Sequence, residues 1–261
     1  MGDGTKESPY TREDVLNLVR ENGGKAVGLD LSEKVFEESI DLYTLDLKGI
    51  FLQLAHLEGA NLGDAHLEGA SLWDAHLEGA FLYEAHLDDK TDLQEADWGN
   101  YILGEEKEGE KRREDYFFKW AEYTYRRLKT WYTNAGMYDI AGEFFFREMT
   151  VKRKALKWWP KPWNRAFSKL LSILCGYGEK PERVVVSAIV IIFGLAIVYR
   201  FGGLSLPYSI YYSVVSFTAL GYGSWVPQPT GWAKATGAAE AVIGVFMMAL
   251  FLVTFTRKMT G

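Results

Sequence analysis

Residues 55–87 read AHLEGANLGDAHLEGASLWDAHLEGAFLYEAHL, and this stretch decides the amino-terminal half of the chain. A leucine returns at every fifth position, from Leu42 and Leu47 through Leu82 and Leu87. Two positions before each leucine stands a second apolar or small residue: Ile40, Leu45 and Ile50, then an alanine at every step from Ala55 to Ala85. Self-similarity at so short a fixed period marks a solenoid rather than a globular core. Two inward positions in five bury a thin core, while adjacent coils pair their backbones about 4.8 Å apart. After Leu87 the phase slips by one residue and resumes at Leu93, Trp98 and Leu103, giving about three coils.

These blocks resemble the pentapeptide-repeat family. The resemblance implies a right-handed quadrilateral β-helix with about twenty residues per coil, the leucine and the small residue pointing inward. Residues 39–104 are assigned to it, and residues 1–38 to an amino-terminal helix and cap. The open ends of such a ladder need covers. Thr11 to Arg20 suits one of them: a capping threonine, acids in the first turn, Val15, Leu18 and Val19 at helical spacing, then Gly23 and Gly24. All four histidines, His56, His66, His76 and His86, fall in the ladder at ten-residue intervals. Four faces per coil would stack them in two pairs on opposite faces, beside Glu58, Glu68, Glu78 and Asp88. Two readings stay open: a duplicated, solvated polar face, or a pH-sensing or metal-binding column.

Outward from the ladder the composition changes. The 261-residue chain has a net charge of −6, which argues against a general nucleic-acid binder. Acids dominate before about residue 115, whereas Arg147 to Arg183 is a basic run, and such a reversal marks a boundary. The single cysteine, Cys175, allows no internal disulfide. No apolar stretch follows Met1, so a cleaved signal peptide is not expected. Within residues 105–157, Leu128, Tyr132, Gly136, Tyr138, Ala141 and Phe145 fall at spacings that resemble one tetratricopeptide (TPR-like) α-hairpin, turning near residues 134–137. One unit cannot bury its own face, so it is expected to pack on the β-helix, on a neighbouring subunit's hairpin or on a partner. Residues 158–182 combine Trp158, Trp159 and Trp163 with basic residues and a Phe167, Leu170, Leu171, Leu174 stripe. This reads as an amphipathic helix on the inner leaflet, or as a linker helix packed on protein.

The last segment, residues 183–261, changes solvent. Val184 to Tyr199 carries no charge and spans about 24 Å as a helix, against about 30 Å of hydrocarbon. Arg183 and Arg200 can close the gap by snorkelling. Trp232 to Thr256 is a second span, followed by Arg257 and Lys258. Basic residues before the first span and after the second place both termini in the cytoplasm, in a multi-pass protein of the cell (inner) membrane. Tyr208, Trp225 and Trp232 suit the outer interface. The connection, LPYSIYYSVVSFTALGYGSWVPQPTG, is too apolar for an exposed loop and too short for a domain. A short helix from Tyr208 to about Thr218, then an irregular return, makes a re-entrant segment. Irregular backbone at that depth survives only where it is buried in protein or lines an aqueous path. Gly221 and Gly223 let successive carbonyls face one side, as a cation site requires.

YYSVVSFTALGYGSWVP, with a span on either side, resembles the pore helix and filter of the potassium-channel superfamily in its two-transmembrane form. The resemblance covers about residues 183–256 and implies an all-α pore of four subunits, whose filter carbonyls replace the hydration shell of K+. Position by position, Gly221, Tyr222 and Gly223 match the family's filter, and Leu220 replaces its valine. Ala219 replaces the innermost filter threonine, whose hydroxyl serves the inner ion site. With Thr218 before them, these residues form the predicted ion-binding filter. Ser224 and Val215 stand where some members pair an aspartate with a glutamate. Tyr211 and Tyr212 match an aromatic pair that buttresses the filter tyrosine.

Glu240 is an ionisable group in the upper membrane, read as hydrogen-bonding behind the filter or else as exposed to the pore. Gly244 is either a gating hinge or a close helix contact. Met247, Met248, Phe251 and Phe255 include candidates for an apolar gate. No phosphate loop or nucleophile motif points to an enzyme, and no cofactor is implied beyond a permeant monovalent cation. The expectation is a homotetrameric, potassium-conducting channel in a lipid bilayer, with a cytoplasmic repeat domain for assembly or gating and no nucleic-acid partner. A weakly selective cation channel and a membrane-anchored scaffold are the alternatives.

Overall fold

A computed structural model describes residues 2–156, 162–220 and 231–260. The chain divides into two compact units, Met1–Lys157 and Trp158–Gly261.

The first unit opens with helix α1, Arg12–Glu21. Thr11 caps it: its side chain accepts from the Asp14 amide, and the Asp14 carboxylate accepts from the Thr11 amide at 3.1 Å. This reciprocal pair satisfies two donors that a helix start would otherwise orphan. Val15 is buried, with Leu18 and Val19 packed beside it. Arg12 reaches from the first turn to the carbonyls of Asp41 and Tyr43, so the helix lids the first coil.

From Asp41 onward, parallel bridges join residues twenty apart at every fifth position: Asp41 to Asn61, Asp46 to His66, Phe51 to Ser71 and His56 to His76. No continuous strand occurs among the described residues; coil meets coil through single-residue bridges. The cause is the turn density. Each five-residue repeat closes a turn, as in Ala60 N–H to Leu57 carbonyl at 3.0 Å and Ala65 N–H to Leu62 carbonyl at 3.2 Å. From Leu47 to Ala85 the third residue of each turn has positive φ, a region closed to most side chains. Glycine takes it at alternate corners, with Gly59 at φ 71°, and a strained residue such as Asp64, at φ 53°, takes it at the others. The inward alanines and leucines from Ala55 to Leu82 are at most 2% exposed, forming the thin core that the period implies.

Pairing begins earlier than residue 39: Asp30 bridges to Phe51 and Val35 to His56, each across twenty-one residues. The slip after Leu87 is stitched by two polar side chains. Asp88 Oδ1 accepts from the amides of Gly69 and Thr91, and the buried Thr91 hydroxyl donates to the Leu67 carbonyl at 2.8 Å. Bridges resume at the longer offset, Ser71 to Asp92 and His76 to Asp97.

Three helices close the far end: α2, Gly104–Arg112; α3, Asp115–Asn134; and α4, Tyr138–Ala155. Helix α2 enters so close to the ladder that a Cβ on Gly104 would lie 2.4 Å from the Phe81 ring. That approach puts Glu105 Oε1 2.8 Å from the Leu82 amide, which has no further coil to pair with. The hairpin of α3 and α4 then packs on the last turns. The Trp98 indole donates to the Tyr132 hydroxyl at 2.7 Å, which donates to the Leu93 carbonyl at 2.8 Å, with Phe144 edge-on to Trp98. Of the three partners expected for this hairpin, the solenoid is the one it meets. Its likeness to a tetratricopeptide unit finds no support, because its aromatic face serves the ladder instead of another helical pair.

The second unit contains α5, Pro162–Cys175; α6, Pro181–Phe201; α7, Leu206–Thr218; and α8, Trp232–Thr260. Trp158 and Trp159, expected at the inner interface, lie outside the described residues. Helix α5 leaves Trp163, Phe167, Leu170 and Ile173 exposed, whereas Leu171 and Leu174 of the expected stripe are half-buried, Leu174 against the cluster around Cys175. Helices α6 and α8 are long and apolar enough to cross a membrane, and only 17% and 22% of their most apolar windows are buried. The core helix of a soluble protein would be mostly buried, so these faces are built for an apolar surrounding.

Candidate functional site

Helix α7 packs against both α6 and α8. Pro207 sits in its first turn, where a missing N–H costs nothing. Its far end stops at Ala219, which adopts the left-handed region at φ 54° while its amide bonds the Ser216 carbonyl. A β-carbon there is strained, so the turn out of the helix is held against local preference. The Thr218 hydroxyl bonds back to the Val214 carbonyl at 2.8 Å, and Leu220 is 80% exposed within the single chain. Gly221, Tyr222, Gly223, Ser224 and Trp225 lie outside the described residues.

Behind α7, one polar cluster ties three helices together. Glu240 on α8 is fully buried; its Oε2 accepts from the Tyr199 hydroxyl of α6 at 2.6 Å, and its Oε1 meets the Ser213 hydroxyl of α7. Ser213 Oγ also lies 2.8 Å from the Ile192 carbonyl, so its single proton is shared between two acceptors. The Tyr212 ring stands edge-on to Tyr199 at 4.8 Å, and a Cβ on Gly237 would lie 2.4 Å from its hydroxyl. Tyr212 is thus wedged between α6 and α8, whereas Tyr211 is only partly buried. The partners Tyr199 and Ser213 escape sequence reading, since a hydroxyl in an apolar helix carries no periodic signal.

Lower on α8, Gly244 faces the end of α7: a Cβ there would lie 1.8 Å from the Phe217 carbonyl oxygen. The glycine is a point of backbone contact between the two helices. Met247 is buried beside Phe217, Met248 and Phe255 are largely exposed, and the Phe251 and Phe255 rings stack at 5.6 Å.

The arrangement is a short helix held between two long apolar ones by a buried carboxylate and a glycine contact. Residues 185–261 match the family described as ion channel, and residues 52–89 match eight copies of the pentapeptide repeat. The chain joins a pentapeptide-repeat segment to an ion-channel domain. No curated protein and no solved structure matches it. With the ion-channel domain, α6 and α8 become membrane helices, and the chain is a membrane protein concerned with ion transport.

Proposed function

We propose that four copies of this chain surround one axis and conduct K+ through a filter of peptide oxygens from Thr218, Ala219, Leu220, Gly221, Tyr222 and Gly223. The observation that carries the reading is the placement of α7 between two membrane-length helices, with its carboxyl-terminal end at Ala219 leading into the G-Y-G segment. A cation that has shed its water needs several oxygens at once, and one chain supplies only a strip of them; a ring of four completes the shell. Tyr212 and Glu240 support the filter from behind, through the Tyr199 and Ser213 contacts. The apolar side chains of Met248, Phe251 and Phe255 form the inner constriction, and the close contact at Gly244 fixes where α8 meets the pore helix.

The repeat segment is a right-handed, four-sided β-helix on the cytoplasmic side, serving assembly or gating, with both termini in the same compartment. Purified full-length protein in liposomes is expected to pass K+ and to show a reversal potential close to that of K+ in mixed K+ and Na+. Absence of flux would turn the reading into a membrane-anchored scaffold. Equal permeation of the two ions would favour the weakly selective channel, which Ala219, Leu220 and Ser224 motivate. Ala219→Thr restores the side-chain oxygen and should then raise K+ preference.

A further inference from the structure

The four repeat histidines form two matched clusters. His56 and His76 stack with centroids 4.5 Å apart and planes 8° from parallel; His66 and His86 do the same at 4.3 Å and 11°. Each pair is also a backbone bridge, so the coil spacing itself sets the ring separation. Carboxylates complete both. In the first cluster, Glu58 Oε1 is 3.0 Å from His56 Nδ1 and Asp97 Oδ2 is 3.6 Å from His76 Nδ1. In the second, Glu68 Oε1 is 3.2 Å from His66 Nδ1 and Asp64 Oδ1 is 3.2 Å from His86 Nε2. One ligand atom from each of His56, Glu58 and His76 lies within 4.8 Å of the other two, and the same holds for His66, Glu68 and His86.

Duplication of a ten-residue block explains why histidine and glutamate recur. It does not explain the fourth member of each set. Asp97 lies beyond the phase slip and Asp64 occupies a turn corner, yet both arrive on a histidine and give the two clusters the same composition of two imidazoles and two carboxylates. Glu68 Oε2 is in addition buried with no hydrogen-bond partner. The histidine side chains are between 33% and 46% exposed, open enough for an ion to enter.

We propose that the solenoid carries two transition-metal sites of the zinc class. His56, Glu58 and His76 hold one ion and His66, Glu68 and His86 the other, with Asp97 and Asp64 each seated on a ring nitrogen of the second histidine. Imidazole with carboxylate selects Zn2+, Co2+ or Ni2+ over the hard, all-oxygen cations Mg2+ and Ca2+. Binding at Zn–N distances of about 2.0–2.1 Å requires the stacked rings to rotate until their lone pairs converge, a motion along the soft second torsion of histidine. The ion then clips consecutive coils together. Lys48, 3.4 Å from Glu68 Oε1, competes in the second cluster, which therefore binds more weakly.

Titration of the metal-stripped full-length protein in detergent with Zn2+ alone tests this. Two ions per chain are expected. His56→Gln with His76→Gln should leave one ion, and replacing all four histidines should leave none while the far-ultraviolet spectrum stays unchanged. If the fourfold variant does not fold, Glu58→Gln with Asp97→Asn provides the check, weakening one site by about tenfold or more. Lys48→Ala should tighten the second site. Undiminished Zn2+ binding in the histidine variants, no binding by the parent protein, or displacement of Zn2+ by equimolar Mg2+ would overturn the proposal.

Discussion

The two units put the same kinds of apolar residue to opposite uses. In the solenoid, the inward leucines and alanines from Ala55 to Leu82 are 0–2% exposed, and Phe51 and Trp73 are exceptions on a mostly polar surface. In the channel domain, Val186, Ile189, Val190 and Ile197 of α6 are about half exposed or more, and what lies buried includes Glu240, Ser209 and Ser213. Water drives the first arrangement, because apolar area removed from it is the main gain on folding. Lipid offers no such gain between helices, so close backbone contact and shared hydrogen bonds must hold the second together.

The largest effect that would break this contrast is expected at Gly244. Gly244→Leu places a side chain where the Phe217 carbonyl already lies, and size-exclusion chromatography should show loss of the assembled protein together with loss of flux. Next, Leu67→Ala should cost the first unit about 2–5 kcal/mol by leaving a cavity in a packed core. Ile189→Ala, at a position 49% exposed on α6, should change unfolding in detergent far less; equal losses in denaturant titrations would erase the distinction drawn here.

Glu105 sharpens it by pH. Burial pushes this carboxyl up to about 7 from its ordinary value, against the amides of Leu82 and Tyr83 and the Thr124 hydroxyl, which favour the charged form. The folded state therefore holds a proton that the unfolded state releases, and stability falls as pH rises from about 4.5 to about 7, by about 3 kcal/mol in all. Glu105→Gln should flatten that stretch of the stability curve while keeping an acceptor for Leu82, as melting temperatures across the range would record. The smallest effect belongs to the amino-terminal lid, where Thr11→Ala should cost about 1 kcal/mol, readable as earlier hydrogen exchange in α1.

Much of this fold can be read from the chain because repetition is loud: the inward leucines and alanines, the slip after Leu87 and the capping threonine are all visible in one dimension. Pairing between coils is legible too, but its form is not: a repeat of five spends its residues on corners and leaves single residues to bridge. Helix α2 is quiet for another reason. Gly104 and Glu105 take their meaning from Phe81 and Leu82, more than twenty positions earlier, and no local pattern marks them. At the candidate site, Glu240 stands out as a charge in an apolar run, while Tyr199 and Ser213 become its partners only when three helices meet.

The twenty-residue register has a consequence for size. Because both lids grip only the coil nearest to them, duplicating residues 61–80 would insert one more rung and lengthen the solenoid by about 4.8 Å, leaving Arg12 and Glu105 with their present contacts. Height in this architecture is modular, and a spacer of adjustable reach is available without redesigning either terminus.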